Sequence, residues 1–356
     1  MPPLIAAQVP LLPTSILAEA DDATRELVAF DIEVGTVAAP FSAILLRSES
    51  ASSSEIENLT ASARVIAVAE LSGRTTANSK VILGNVRAME AAIALADDLS
   101  VSTVIAMQRA LLGDTEPNQT GRFRQQQVWI GGGYSNSPHT ASFVPPHHSR
   151  VPALMDDLIE FAKRADIPAL PHIAIAHAQF ETVHPFPDGN GRTGRALVQT
   201  MLRHHEVTRH VTVPVSAGLL HHTDQYFHAL TAYRNGDLEP IVLAFAQASF
   251  SAVANGRRLV ADLLAARDEW RTVTSTRTGS AGRRLLEQLT THPVIDAATA
   301  SRLLDVTPQN AQAGIDRLVG DGILIRIGTG GRNRLWQAAD VLDALDRFAE
   351  RARRNR

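Results

Sequence analysis

Apolar residues in this chain recur mostly at three- and four-residue spacing, the period of one buried face of an α-helix. That pattern predicts helices over 85–99, 101–112, 151–164, 170–183, 191–204, 222–235 and 238–265. Another helix is predicted over 52–70, where Ser52, Ser53 and Ser54 suit an N-cap and Glu55 and Glu57 suit the positive end of the helix dipole. Residues 1–20 are proline-rich and read as an extended arm, and 24–46 as a short helix followed by extended residues around 41–46. The period breaks between 113 and 151, where Gly121, Gly131, Gly132, Gly133, Pro138, Pro145 and Pro146 punctuate the chain. Residues 124–130 read there as one strand, and 141–144 as its hairpin partner. A polar stretch at 267–279 reads as a linker. Beyond it come helices at 283–290, 297–304 and 309–319, then short strands at 323–327 and 333–337, the order of a winged helix. The expected class is mostly α, with a β-hairpin and a small C-terminal α+β unit. The expected division is a helical region 1–100, a core 101–265, a linker 266–279 and a winged helix 280–350.

Composition narrows the function classes. A chain of 356 residues can bury a large core and hold two or three domains. Its net charge of −3 creates no general field for nucleic acid or membrane. Cysteine is absent, which excludes disulfides, thiolate metal sites and a cysteine nucleophile, and fits a reducing compartment. The start, Met1-Pro2-Pro3-Leu4, lacks the basic and apolar regions of a signal peptide. The longest nearly apolar run, 241–254, is too short to span a bilayer and carries Gln247, Ser249 and Ser251. A soluble, cytoplasmic protein with no membrane partner is expected.

Candidate chemistry concentrates in His184-Pro185-Phe186-Pro187-Asp188-Gly189-Asn190-Gly191-Arg192-Thr193-Gly194-Arg195. A helix delivers His184 to its C-terminal end, and Pro185 and Pro187 stop propagation. Glycines let the following loop present successive N–H groups inward, and the next helix points its positive end at the same place. Arg192 and Arg195 lie one turn apart, two guanidinium forks over an anion nest. His184 suits proton acceptance from a hydroxyl near neutral pH, and Asp188 is a hard oxygen ligand suited to Mg²⁺. Phe186 carries no polar chemistry and reads as a core anchor. The adjacent histidine pairs 147–148, 204–205 and 221–222 have no carboxylate at metalloprotease spacing, so a zinc site is not expected.

This stretch resembles the Fic active-site motif, His-x-Phe-x-(Asp/Glu)-Gly-Asn-Gly-Arg-x-x-Arg, at every fixed position. Segments at 121–131, 143–146, 151–155 and 175–180 are also similar to the family, and the resemblance covers roughly residues 20–250. It implies a Fic-type helical core that transfers AMP from ATP, with Mg²⁺, onto a Ser, Thr or Tyr hydroxyl of a protein. His184 is then the base and Asp188 the metal ligand. Gly189, Asn190, Gly191, Arg192, Thr193, Gly194 and Arg195 hold the nucleotide, with Arg192 on the α/β-phosphates and Arg195 on the γ-phosphate. Tyr226 is implied on the adenine side. Ile130, Gly131, Gly132 and Phe143 are implied in a flap that pairs with the target peptide as an added strand. Gly191 is bulkier in relatives that transfer a terminal phosphate, so its small size here implies nucleotidyl transfer.

Upstream, Ser53-Ser54-Glu55-Ile56-Glu57-Asn58 resembles the family's inhibitory pattern, (Ser/Thr)-x-x-x-Glu-(Gly/Asn). The resemblance implies that Glu57 pairs with Arg195 and keeps ATP from binding productively. Self-modification and a homodimer fit the same picture. Removal of AMP at the same site is an alternative, as is a DNA-binding regulator with a nucleotide-sensing core. The C-terminal unit offers Gln309, Asn310, Gln312, Arg317, Arg326, Arg332 and Arg334 to DNA, but Asp316 and Asp321 interrupt that surface. DNA and protein contact both stay open for it.

Overall fold

In the computed structural model, residues 2–37, 40–131, 140–328 and 333–353 are described. Gly132 of the expected flap and Arg332 of the expected wing lie outside those residues. Five helices open the chain: α1 (Thr14–Val37), α2 (Pro40–Ile56), α3 (Ala63–Ser72), α4 (Ala77–Ala94) and α5 (Val101–Leu112). Then come α6 (Val151–Ala162), α7 (Ala169–Val183), α8 (Asn190–His204), α9 (Val215–His221), α10 (Thr223–Arg234) and α11 (Glu239–Val273). The C-terminal part holds α12 (Ala281–Gln288), β1 (Val294–Ile295), α13 (Ala297–Leu304), α14 (Pro308–Gly320), β2 (Ile325–Ile327), β3 (Leu335–Gln337) and α15 (Ala339–Arg353).

The centre of the molecule is α7, buried from Leu170 to Val183 on every side. A helix that is wrapped all round belongs inside a core. It packs on α8, α6, α11, α1 and α10, and α2 reaches the same layer through α8, α4 and α9. Local chemistry fixes the helix starts. Ser62, Ser100, Ser280, Asp296 and Thr307 each accept a hydrogen bond at their helix N-terminus, and Thr76 and Ser79 form a reciprocal capping box. The three strands form one antiparallel sheet in the order β1-β3-β2, with Ile295 opposite Trp336 and Ile325 opposite Gln337.

Several sequence expectations need correction. The helix predicted over 52–70 is two helices, parted where Asn58 takes a left-handed φ of 61°. Ser52, Ser53 and Ser54 are therefore not an N-cap but lie in the last turns of α2, buried. The residues expected to be extended around 41–46 begin that helix, because Phe41, Ile44 and Leu45 fall at helical spacing and bury completely. The expected arm becomes helical at Thr14. The expected linker is helical as far as Val273, since Trp270 is buried and its Nε1 donates to Asp340 Oδ2 at 2.7 Å. Its partner element, α15, was not predicted, although Val341, Leu342, Ala344, Phe348 and Ala352 bury one face of it. The hairpin reduces, among the described residues, to one antiparallel bridge between Ile130 and Phe143. No helix among those residues is long and apolar enough to cross a membrane.

Close approach of α9 to α11 depends on Gly218, where an added Cβ would stand 2.0 Å from the backbone oxygen of Ala248. Neither backbone can yield without shifting a helix. Gly218→Ala is therefore expected to cost about 1–3 kcal/mol or more, seen as a lower urea midpoint at unchanged slope.

Candidate active site

α7 ends at His184, which caps it in a left-handed conformation, φ 50°, with its N–H donating to Phe180 O at 2.9 Å. That conformation is costly for a residue with a side chain and persists only where surroundings impose it. Arg124 supplies the constraint. Its Nε donates to His184 O at 2.8 Å, its backbone N–H to Pro185 O at 2.9 Å, and its Nη2 to Pro146 O. One buried guanidinium thus ties the loop after α7 to the base of the flap segment. The loop is braced from inside as well. Asn190 Oδ1 accepts from Phe186 N–H at 2.8 Å, and its Nδ2 donates to Phe186 O at 2.9 Å. The Phe186 ring is buried against Phe123 and Phe180.

Gly189, at φ 78°, starts α8 without any side-chain cap. The first N–H groups of a helix have no partner within it, so they face the loop concavity as donors for an anion. Arg192 and Arg195 are buried beside them. A carboxylate already occupies their fork. Glu57 Oε1 lies 2.8 Å from Arg195 Nη2, and Oε2 lies 2.8 Å from Arg192 Nε. The second contact is an ion pair without hydrogen-bond alignment, because Arg192 Nε and Nη1 are buried with no hydrogen-bond partner. Those donors are stored capacity for an anion with more oxygens than a carboxylate.

Glu57 arrives from the end of α2. Ser53, one turn earlier, accepts from Arg195 through both its Oγ, from Nε at 2.9 Å, and its carbonyl, from Nη2 at 2.7 Å. The left-handed Asn58 then turns the chain away, a conformation that asparagine tolerates well. Gly191 makes room, since a Cβ there would stand 2.4 Å from Glu57 Oε1 and 3.0 Å from Arg195 Nη1.

Burial sets the protonation states. It pushes the His184 imidazole down to about 3, helped by the Arg124 charge, so the ring is neutral and able to accept a proton at neutral pH. His177 is likewise pushed down to about 3 by burial and by Arg195. Glu181 moves the other way. Burial raises its carboxyl to about 7, with Arg195 opposing and Glu57 adding to the rise. Burial also opposes the Arg195 charge, but Glu57, Tyr226 and Glu181 outweigh it and hold the guanidinium above its ordinary range.

Most of the sequence-selected residues meet here: His184, Asp188, Gly189, Asn190, Gly191, Arg192, Arg195 and Glu57. Thr193 and Gly194 face inward instead. Gly194 lets α8 approach α7, where a Cβ would stand 2.8 Å from Glu181 Oε1 and 2.9 Å from Phe180 Cδ1. Tyr226, expected beside an adenine, is wholly buried, with its hydroxyl 2.8 Å from His177 Nε2. The exposed ring at that end of α10 is Phe227. In the flap segment, Ile130 N–H donates to Phe143 O at 2.8 Å, and Gly131 takes a left-handed φ of 76°. The Arg234 guanidinium lies 3.9 Å over the Phe143 ring. Asp188 Oδ1 accepts from Gly189 N–H at 2.7 Å, while Oδ2 lies 3.6 Å from Arg192 Nη2 on a half-exposed side chain. No cluster of three metal-ligating groups occurs among the described residues. One accessible carboxylate beside a phosphate-sized nest fits Mg²⁺, which takes one or two carboxylates and fills its shell with phosphate and water.

The sequence reading assigned no role to Arg124 or Glu181, and paired Glu57 with Arg195 alone. The one sequence signal for Glu181 was an acid inside an otherwise apolar helix. Its ordinary value is 4.5 and its folded value about 7. Between those pH values the folded protein holds a proton that the unfolded chain has released, so this group makes stability fall as pH rises through the window. In Glu181→Gln that contribution is removed, by up to about 1.4 kcal/mol per pH unit for one proton. Urea midpoints at pH 5, 6 and 7 measure it. An unchanged pH slope in the variant would contradict the assignment.

Comparison with known proteins agrees with the geometry. The Fic/DOC family description matches residues 98–202. A protein adenylyltransferase Fic of Drosophila willistoni is 28% identical over 148 residues, 41% of this chain and 26% of that protein. Protein adenylyltransferase fic-1 of Caenorhabditis elegans is 29% identical over 160 residues, 44% of this chain and 28% of that protein. The matched region is thus about a quarter of those relatives' lengths. A Fic family protein from Desulfovibrio desulfuricans shares the fold with a TM-score of 0.59 at 20% identity, over 93% of this chain and 98% of that one. The motif of residues 184–195, folded into one anion nest, lies inside the region of the chain that matches the Fic/DOC family.

Proposed function

We propose that this chain is a protein adenylyltransferase that moves AMP from ATP to a protein hydroxyl and is held inactive by Glu57. The observation that carries the reading is the Glu57 carboxylate lying on both guanidiniums of the nest. A polyphosphate needs the same two forks, so carboxylate and triphosphate compete for one place. The α8 N-terminus and Arg192 hold the α/β-phosphates, and Arg195 holds the γ-phosphate once Glu57 leaves. Asp188 would hold Mg²⁺, which would supply charge neutralisation for the phosphates. The His184 imidazole accepts the proton of the target hydroxyl, whose oxygen forms a bond to the α-phosphorus. The bond from that phosphorus to the β-phosphate bridging oxygen breaks, and pyrophosphate leaves. Ile130 and Phe143 offer backbone for an added strand from the target, which sets the hydroxyl in line.

For the C-terminal unit we favour protein contact over DNA reading. Its element order is that of a winged helix, yet Gln312 on α14 donates to Asp316 at 2.7 Å, so that polar group is engaged within the helix. Its last helix, α15, packs on α2 and α3.

Labelled-AMP incorporation tests the reading. His184→Ala is expected to lower auto-transfer by about 10²–10⁴-fold while ATP binding persists. Transfer by that variant at the unmutated rate would remove His184 as the base.

Glu57→Gly is expected to raise auto-transfer strongly over the unmutated chain, and Arg195→Ala to lower it again in that background. Because Arg195 is buried, the single variant also loses up to about 3–5 kcal/mol of resting stability, recovered with ATP and Mg²⁺. Equal incorporation by the unmutated chain and Glu57→Gly would falsify the inhibitory role.

A further inference from the structure

Behind the inhibitory end of α2 lies a second cavity, of about 470 Å³, walled by α2, α3 and α15. Ser48, Ser52 and Glu55 line it from one face of α2, while Ser53 turns to Arg195 on another. These positions follow helical spacing, so the helix separates the cavity from the anion nest.

The walls have a consistent chemistry. Ile44, Ile66, Leu345 and Phe348 give an apolar body. Four carboxylates line the cavity, Glu55, Glu70, Asp346 and Glu350, against two guanidiniums, Arg47 and Arg353. Arg47 is matched by Glu70 at 2.8 Å. Arg353 donates to both oxygens of Glu55, from Nη2 at 2.9 Å, while Asp346 and Glu350 crowd the same guanidinium. By formal count two negative charges are left over, with Asp346 Oδ1 also accepting from Ala63 N–H at 3.0 Å. Independently, Ser48 lines the cavity, and its Oγ is buried without a hydrogen-bond partner. A buried hydroxyl left so costs free energy that a ligand group recovers.

We infer that this cavity binds a small organic cation: an apolar body among Ile44, Ile66, Leu345 and Phe348, an ammonium at Asp346 and Glu350, and a polar contact at Ser48. The volume is that of small-molecule sites, about 300–1,000 Å³ with mostly apolar walls and a few polar groups. An anion meets excess negative charge there, and a neutral hydrocarbon leaves it uncompensated. The occupant touches the Glu55–Arg353 pair two residues before Glu57. Its consequence for transfer rests on the proposed inhibitory role of Glu57, whereas the binding does not.

The probes are 4-phenylbutylammonium and its anionic counterpart 4-phenylbutyrate, titrated calorimetrically into the full chain. Saturable 1:1 binding of the ammonium is expected, with the carboxylate at least about ten-fold weaker. Asp346→Asn with Glu350→Gln should weaken the ammonium by a similar factor, and Ala67→Trp, which fills the cavity, should abolish binding. If Ala67→Trp fails to fold, the charge variant still decides. No saturable binding, equal binding of both probes, or binding unchanged by neutralising Asp346 and Glu350 overturns the site. With the ammonium bound, auto-transfer should change in the unmutated chain and not in Glu57→Gly. No change in either overturns the link to Glu57 while leaving the calorimetric result intact.

Discussion

One carboxylate held by two buried guanidiniums organises this molecule. Arg192 and Arg195 are each nearly inaccessible, and a buried cation without a partner is strongly destabilising. An anion between them offsets that cost. In the structure that anion is the Glu57 carboxylate, 138 residues from Arg195 along the sequence. The fork that suits a triphosphate therefore also dictates how the N-terminal helices pack, because α2 must bring Glu57 to the nest at a fixed height and rotation.

That demand explains why α2 is polar yet buried. From Ser48 to Glu55 it holds a run of serines and acids, most of them inside the protein. Burial of such groups is tolerable only if each finds a partner. Asn85 Nδ2 donates to Ser50 O at 2.8 Å and to Ser54 Oγ at 3.2 Å. Glu49 accepts from Ser216 through both N–H and Oγ, and burial still raises its carboxyl to about 7. Ser53 receives Arg195, and Glu55 receives Arg353. These bonds are directional, so they fix the rotation of α2 in a way that an apolar helix face would not. Ser48 Oγ is the exception within the run, and Ser48 is one of the residues that line the cavity.

How much of this was legible follows from where the information lies. The motif of residues 184–195 is local: glycines, two arginines one turn apart and a histidine after an apolar helix describe an anion nest without any tertiary knowledge. The apolar period likewise located α5, α6, α7, α8 and α13 closely. What failed was tertiary in origin. α2 begins at Pro40 because Phe41, Ile44 and Leu45 meet a core the sequence does not display, and its serine run looks like a start when it is a buried end. α15 was missed because its charge suggests a solvated tail, although every third or fourth residue is apolar. Arg124 and Glu181 take their roles from backbone carbonyls and burial, for which spacing carries no signal.

Gly191 shows how tightly the nest and the Glu57 carboxylate share their requirements. A side chain at that position meets the Glu57 carboxylate at one oxygen and the Arg195 guanidinium at the other side. The absence of a Cβ keeps the helix N-terminus open, and the same gap admits the Glu57 carboxylate. Any residue large enough to exclude Glu57 by contact also narrows the nest. The Glu57 contact therefore cannot be lost at Gly191 without altering the nest itself. A change that removes it cleanly has to act from the α2 side, at Glu57 itself or at the bonds that fix the rotation of α2. The hold that Ser53 keeps on Arg195 depends on the same rotation, so α2 sets both the position of the Glu57 carboxylate and the orientation of the guanidinium it meets.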